Sequence, residues 1–294
     1  GCAIRNYALI TPPLIENLNT LQAGAGAHLA HDLFSFTDPV SGQLVGIRAD
    51  ITPQIARLDA TQMPVLSGQT QESTTKRYTY VGEVLRTRPQ AIGGQRVALQ
   101  AGAEIFGDDT PQADLDVMGL MLSFLSNDAA HKELHLDLGH VGIYRKLVQQ
   151  CGISSDDELA LFSILQRKSQ PDWEAFVSTR PHAAPLGVLL QLNGGVDVLK
   201  QARQYAQIPT PELDMLDVLV AALQQQWPTV TLHVDLAELR GYRYHTGVVF
   251  AVFTPNLGRE LARGGRYDGV GAVFNPQAQT RPATGFSIDL LELL

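Results

Sequence analysis

Apolar positions alternate with polar ones in both outer parts of the chain, and they recur at helical spacing in the stretch between. Phe34 and Phe36 alternate with polar neighbours, Asp38-Pro39-Val40-Ser41-Gly42 supplies turn chemistry, and Leu44 to Ile47 returns. Leu33 to Asp50 therefore reads as a hairpin, preceded at Thr11-Pro12-Pro13 by an extended corner. Thr52-Pro53 predicts a helix start, with Thr as cap, Pro in the first turn, and Ile55 and Leu58 on the apolar side. Leu66 to Lys76 is polar and reads as a loop. Arg77 to Arg86 and Val97 to Phe106 read as strands joined by the long connection at Pro89 to Gly94. Thr110-Pro111 opens a second helix whose Leu115, Met118, Leu122 and Leu125 keep the helical period, and Leu134, Leu136 and Leu138 alternate as a strand.

From Val141 to about Pro228 helical stretches dominate, among them Glu158 to Lys168, Val196 to Ala206 and Leu213 to Gln226. Strands return at Val230 to Leu239, Gly247 to Phe253 and Glu260 to Arg266. Strands with hairpin connections on both sides of a helical block predict an α+β fold with a mainly antiparallel sheet flanked by helices. The expected division is a core of 1–140 and 229–294 with a helical insertion at 141–228.

Composition adds limits. The chain has 294 residues, 45% hydrophobic and 18% charged, enough for a sizeable core. It lacks an apolar run near the roughly 20 residues that span a bilayer, and its first residues do not read as a signal peptide. Cys2 and Cys151 have no disulfide or zinc spacing, and are expected to be reduced thiols of a cytoplasmic protein. A formal net charge of −8 argues against a broad nucleic-acid surface, though a local basic pocket is compatible with it.

Polar residues cluster in Arg48-Ala49-Asp50-Ile51-Thr52, Gly82-Glu83-Val84-Leu85-Arg86, Gln100-Ala101-Gly102-Ala103-Glu104, Arg240-Gly241-Tyr242-Arg243-Tyr244 and Gly264-Gly265-Arg266-Tyr267-Asp268-Gly269. In a strand Gln100, Gly102 and Glu104 share one face, with the glycine leaving room between two hydrogen-bonding groups. That face looks toward solvent or toward a ligand cavity. The glycine run at Gly264 is not a Walker loop, the histidines show no metal spacing, and no Gly-x-Ser-x-Gly is present. These absences remove several enzyme classes without identifying a function, and they give no metal site or cofactor to expect.

In order along the chain these segments resemble the class II histidyl-tRNA synthetase core. The family's Leu-Arg-Pro-Glu-x-Thr segment is similar to Ile47 to Thr52, with Asp50 in place of Glu. Its motif 2 is similar to Gly82 to Gln100, with Arg86 at the motif arginine. Its Gln-x-Gly-x-Glu-x-Phe-Gly matches Gln100 to Gly107. Its Arg-Gly-x-x-Tyr-Tyr matches Arg240 to His245, with His245 for the second Tyr, and Gly-Gly-Arg-Tyr-Asp-Gly is intact at Gly264 to Gly269. The resemblance implies a histidine site of Asp50, Thr52, Arg86, Gln100, Glu104, Arg240, Tyr244 and Tyr267. Glu104 and Gln100 would face the imidazole, Asp50 and Thr52 the ammonium, and Arg240 the carboxylate, while Tyr267 would supply a packing wall.

The departures fall on nucleotide chemistry. The family's motif 3, Gly-Phe-x-x-Gly-Leu-Glu-Arg, corresponds to Gly285 to Glu292, where Asp289 replaces the glycine and Glu292 the arginine that grips phosphates. Thr87-Arg88 stands where synthetases carry His-Glu, and the chain ends at Leu294, where an anticodon-binding domain is expected. This combination is similar to the regulatory subunits of short-form ATP phosphoribosyltransferase, the first enzyme of histidine biosynthesis. It implies a non-catalytic subunit of a hetero-octamer with short catalytic subunits. Such a subunit self-associates, activates its partner, takes part in histidine feedback, takes L-histidine as ligand and binds neither tRNA nor membrane. Whether histidine binds here, on the catalytic partner or on both is left open by the sequence. The alternatives are a histidyl-tRNA synthetase core fragment and an unrelated histidine sensor on the same fold.

Overall fold

The structure, a computed structural model, describes residues 6–23, 29–62, 75–89, 94–126, 133–255, 260–278 and 281–293. The expected loop at Leu66 to Lys76 and the connection at Pro89 to Gly94 lie largely outside these residues. The chain divides into two compact units, one of residues 1–129 and 259–294, the other of 130–258.

In chain order the first unit contains β1 (Ala8–Ile10), β2 (Ile15–Asn17), α1 (Leu18–Leu21), β3 (Phe34–Thr37), β4 (Leu44–Ile47), α2 (Thr52–Thr61), β5 (Lys76–Leu85), β6 (Val97–Phe106) and α3 (Pro111–Leu125). The later segment returns β11 (Glu260–Arg266) and β12 (Ala283–Asp289). The main strand order is β1-β5-β6-β12-β11, and β2-β4-β3 form a separate small sheet. β5 and β6 pair antiparallel from Lys76↔Phe106 to Leu85↔Val97. β12 runs antiparallel to both β6 and β11, while β1 joins β5 in parallel. The β3–β4 hairpin forms where its alternation places it: Asp38 accepts from the backbone N–H of Val40 and Ser41, and Gly42 closes the turn at φ +68°.

α3 buries Leu115, Met118, Leu122 and Leu125, the side its period marks. It is tied to β11 by Arg266, whose Nε and Nη2 donate to Asp114 Oδ2 at 3.1 and 2.9 Å. Both groups are buried, so neither charge tolerates loss of the other. Thus Arg266 of the Gly-Gly-Arg-Tyr-Asp-Gly run holds the fold, and Gly269 in the same run takes φ +72°.

Two expectations need correction, and one strand went unpredicted. Ile51, not Thr52, occupies the N-cap of α2; Thr52 is its first residue and its hydroxyl points elsewhere. Thr110 sits at the N-cap of α3, but its hydroxyl bonds Asp108 Oδ1 at 2.6 Å rather than the helix. Residues 283–289, which the alternation pattern left unassigned, form β12, because a strand buried on both faces loses its polar alternation.

The second unit contains β7 (His135–His140), α4 (Val141–Cys151), α5 (Ser155–Gln166), α6 (Gln170–Thr179), β8 (Asn193–Gly194), α7 (Asp197–Ala202), α8 (Thr210–Gln226), β9 (Thr231–Asp235) and β10 (Val248–Phe253). Its strand order is β10-β7-β9-β8, with β7 and β9 parallel. A parallel pair needs a long crossover, and the 141–228 helices supply it. The compact unit therefore includes these strands, and its limits fall at 129/130 and 258/259 rather than 140/141 and 228/229.

α4 ends at Gly152, φ 64° and ψ 36°, whose N–H bonds the Gln149 carbonyl. A Cβ there would meet nothing within 4 Å. Gly152→Ala should therefore cost backbone strain alone, about 1 kcal/mol. Urea unfolding should show a lower midpoint at unchanged slope, with Gly152→Asn in between. No helix among the described residues is long and apolar enough to cross a membrane.

Candidate functional site

The strand register of the first unit places the polar residues on one floor. Residues directly opposite share a face. Tyr78, Glu104 and Gly285 make one row, Tyr80, Gly102 and Ser287 the next, and Gly82, Gln100 and Asp289 the third. Arg86 lies on the same face of the chain leaving β5, with its N–H on the Arg96 carbonyl at 2.8 Å. The segment leading into α2 adds Asp50 and Ile51, and the first residue of the helix adds Thr52.

Glu104 is 1% exposed. Its Oε1 accepts from Thr52 Oγ1 at 3.0 Å and from the Tyr80 hydroxyl at 3.1 Å. Its Oε2 accepts a short bond from the Tyr267 hydroxyl. Burial pushes the carboxyl up to about 8, against the pull of the three hydroxyls, with the Asp50 charge adding to the rise. Burial holds the Tyr80 and Tyr267 phenols well above their usual range, so both remain donors. Three of the roughly four acceptor positions of a carboxylate are thus filled from within.

The glycines of this floor make the arrangement possible. A Cβ at Gly285 would lie 1.4 Å from Glu104 Oε2, and one at Gly102 would lie 2.3 Å from the Tyr80 hydroxyl. Gly102 does leave room between its polar neighbours, and the Tyr80 hydroxyl fills it. Gly82 serves Arg48, whose Nη2 would stand 2.2 Å from a Cβ there. Arg48 is buried and spends its donors on the Glu83 and Pro12 carbonyls at 2.8 and 2.7 Å, so it braces the segment that carries Asp50.

Gln100 links the strand to α2. Its Oε1 accepts from the Ile51 N–H at 2.8 Å and its Nε2 donates to Asp50 Oδ1 at 3.0 Å. Asp50 Oδ1 also accepts from the Thr52 N–H at 2.9 Å. Asp50 thus presents a carboxylate whose orientation is fixed by two donors.

Arg86 is 7% exposed, and its Nε is buried without a hydrogen-bond partner among the described residues. Desolvation lowers its pKa; the charges of Asp50, Asp289 and Asp32 favour the cation, and Arg263 opposes it. A buried guanidinium lacking a bonded carboxylate is costly unless a ligand supplies one.

The structure therefore brings Asp50, Thr52, Gln100, Glu104 and Tyr267 together by hydrogen bonds, with Arg86 within their electrostatic reach. Tyr267, expected as a packing wall, is instead a hydroxyl donor to Glu104, and its ring meets Phe106 edge-on at 6.1 Å. Of the two alternatives for this sheet face, the solvated one is excluded, since Gln100 and Glu104 are buried. Tyr80 escaped the sequence reading. Its place on the Gly82 face of β5 was the available signal.

Arg240 and Tyr244 lie in the second unit. There the Arg240 guanidinium bonds Glu238 (Nε to Oε1, 2.8 Å), pairs with Asp137 at 3.5 Å and lies over the Phe253 ring at 5.0 Å. The Tyr244 ring packs against His245, 4.2 Å between centroids. Among the described residues no cluster of three His, Cys, Asp or Glu is placed to hold a metal ion.

The histidyl-tRNA synthetase family profile matches residues 3–293. The ATP phosphoribosyltransferase regulatory subunit of Thioalkalivibrio sulfidiphilus is 43% identical over 98% of this chain and 72% of its own length. That of Pseudomonas syringae pv. tomato is 44% identical at the same coverage. The ATP phosphoribosyltransferase regulatory subunit/histidyl-tRNA synthetase of Bacillus halodurans superposes with a TM-score of 0.82 at 28% identity, covering 99% of this chain and 74% of that one. A chain of the ATP phosphoribosyl transferase complex of Thermotoga maritima reaches 0.73 at 18% identity over 98% and 93%, a likeness of fold.

Proposed function

Because this chain belongs to the histidyl-tRNA synthetase family, among its ATP phosphoribosyltransferase regulatory subunits, we propose that it binds free L-histidine in the first unit and regulates a short catalytic partner without catalysis of its own. It activates that partner and takes part in histidine feedback, as a component of a cytoplasmic hetero-octamer. The observation that carries the reading is the buried Glu104 carboxyl ringed by three hydroxyls beside a buried Arg86 whose Nε has no hydrogen-bond partner among the described residues.

Each group of the amino acid meets a complementary one. Glu104 takes the imidazole, Asp50 the α-ammonium, and Arg86 the α-carboxylate. Assigning the carboxylate to Arg86 departs from the expected Arg240, whose guanidinium already holds Glu238 and Asp137. Gln100 and Thr52 act by holding Asp50 and Glu104. Nucleotide chemistry is disfavoured because Glu292 stands at the phosphate-gripping position and Asp289 at the floor.

Calorimetry of the isolated chain tests the reading. L-histidine should bind saturably, one per chain. L-histidinol, which lacks the carboxylate, should bind at least about tenfold more weakly, since Arg86 is then left buried and unpaired. No heat with histidine would overturn the site. Co-elution with a short catalytic subunit and stimulation of its rate test the regulatory role. Histidine-dependent ATP–pyrophosphate exchange would instead identify a synthetase fragment.

A further inference from the structure

The floor beside Arg86 carries one residue that the histidine reading does not use. Asp289 ends β12 opposite Gln100, in the same row as Gly82 and on the face shared by Arg86 and Glu104. Its Oδ1 accepts from the Leu291 N–H at 3.0 Å, which fixes the carboxylate at the start of the closing 3-10 turn. Its charge is felt at Arg86 together with those of Asp50 and Asp32. Around Arg86, whose Nε has no hydrogen-bond partner among the described residues, the charges of three carboxylates act, opposed by Arg263, which also pairs with Glu260 at 3.0 Å.

We propose that Asp289 is a specificity-determining residue that admits an amino-acid carboxylate at Arg86 and rejects a phosphoryl group in the same place. The inference rests on the histidine reading of this site. A carboxylate brings one negative charge, and Arg86 balances it. A phosphate monoester brings close to two at neutral pH. The second charge would meet the Asp289 and Asp50 carboxylates while Arg263, the neighbouring cation, is drawn to Glu260, in a partly dry site where Coulomb repulsion is weakly screened. The site therefore selects on charge at one end and on hydrogen bonding at the other, and phosphorylated relatives of histidine are excluded by charge.

Two probes of one skeleton separate these contributions: L-histidine and L-histidinol phosphate, which carries a phosphate ester where histidine has its carboxylate. Asp289→Asn is the variant, because the amide oxygen can still accept from Leu291 N–H. Calorimetry should show that the wild-type chain binds histidine and discriminates strongly against histidinol phosphate. In Asp289→Asn that preference should fall at least tenfold, through a gain for the phosphate ester larger than any gain for histidine. An unchanged preference in the variant, or wild-type binding of both probes with equal affinity, would overturn the proposal while leaving the histidine site standing. A wild-type chain that binds neither probe would remove the histidine reading, and the selectivity with it.

Discussion

Replacing Glu104 by alanine should weaken histidine binding by roughly 2–4 kcal/mol, about 30- to 1,000-fold in affinity. The magnitude follows from burial. Glu104 is 1% exposed, and among the described residues its hydrogen-bond partners are three hydroxyls rather than an arginine. Its role is therefore not that of half a structural ion pair. Truncation removes the imidazole's partner and strands the buried Tyr267 hydroxyl, while Tyr80 and Thr52 keep only each other. Because those stranded groups also destabilise the fold, Glu104→Gln is the necessary companion. It keeps nearly the same volume and one oxygen, which can still accept from Tyr80 and Thr52, while its amide nitrogen faces the Tyr267 hydroxyl and can donate to it. In the reconstituted complex the phosphoribosyl transfer rate should lose its histidine inhibition in Glu104→Ala and keep a weakened inhibition in Glu104→Gln, while stimulation of the catalytic subunit persists in both. A ligand can shift a complex only through differential affinity for its states, so weakened binding must appear as weakened feedback. Inhibition equal to wild type would place feedback on another surface.

Much of this floor was legible beforehand because strand geometry is periodic. Once Gln100, Gly102 and Glu104 are set in one strand, their common face follows, and the glycine between them predicts a close approach. Local pattern does not supply the partners. That Tyr80 fills the space over Gly102, or that Gly285 makes room for Glu104, depends on which strands become neighbours. The same limit hid β12, whose Ala283, Thr284, Gly285, Phe286 and Ile288 are all buried and so carry no alternating polar signal. It also inverted two assignments. Tyr267 and Arg266 are adjacent in a run read as a ligand motif, yet one reaches Glu104 and the other ties β11 to α3. Thr52 had the composition of a helix cap, and tertiary contact with Tyr80 and Glu104 claimed its hydroxyl.

Histidine affinity should be bell-shaped in pH, with a plateau between about 6.5 and 8. The bound pair of carboxyl and imidazole shares one proton, whichever group carries it. In the free protein burial raises the Glu104 carboxyl to about 8, while free imidazole titrates near about 6.5. Between those values the separated partners already hold one proton in total, and binding exchanges none. Below about 6.5 the imidazolium adds a proton that must leave. Above about 8 the carboxyl has lost the one that must be regained. Each limb should approach a tenfold loss per pH unit. Tyr80 and Tyr267 stay protonated across this range and Asp50 is the neighbouring charge, so the upper limb belongs to Glu104. Glu104→Gln should therefore keep the acid limb and lose the alkaline one; a limb due to the ligand's own ammonium would survive the substitution. Stability of the empty protein gives an independent reading of the same group. A carboxyl whose folded pKa lies above its ordinary 4.5 holds its proton more tightly when folded. Its contribution is most favourable below about 4.5 and declines as pH rises toward about 8, by up to about 1.4 kcal/mol per unit. Wild type should lose unfolding free energy over that interval relative to Glu104→Gln. Parallel stability curves together with a retained alkaline binding limb would show that Glu104 ionises as an ordinary carboxylate and does not share a proton with the ligand.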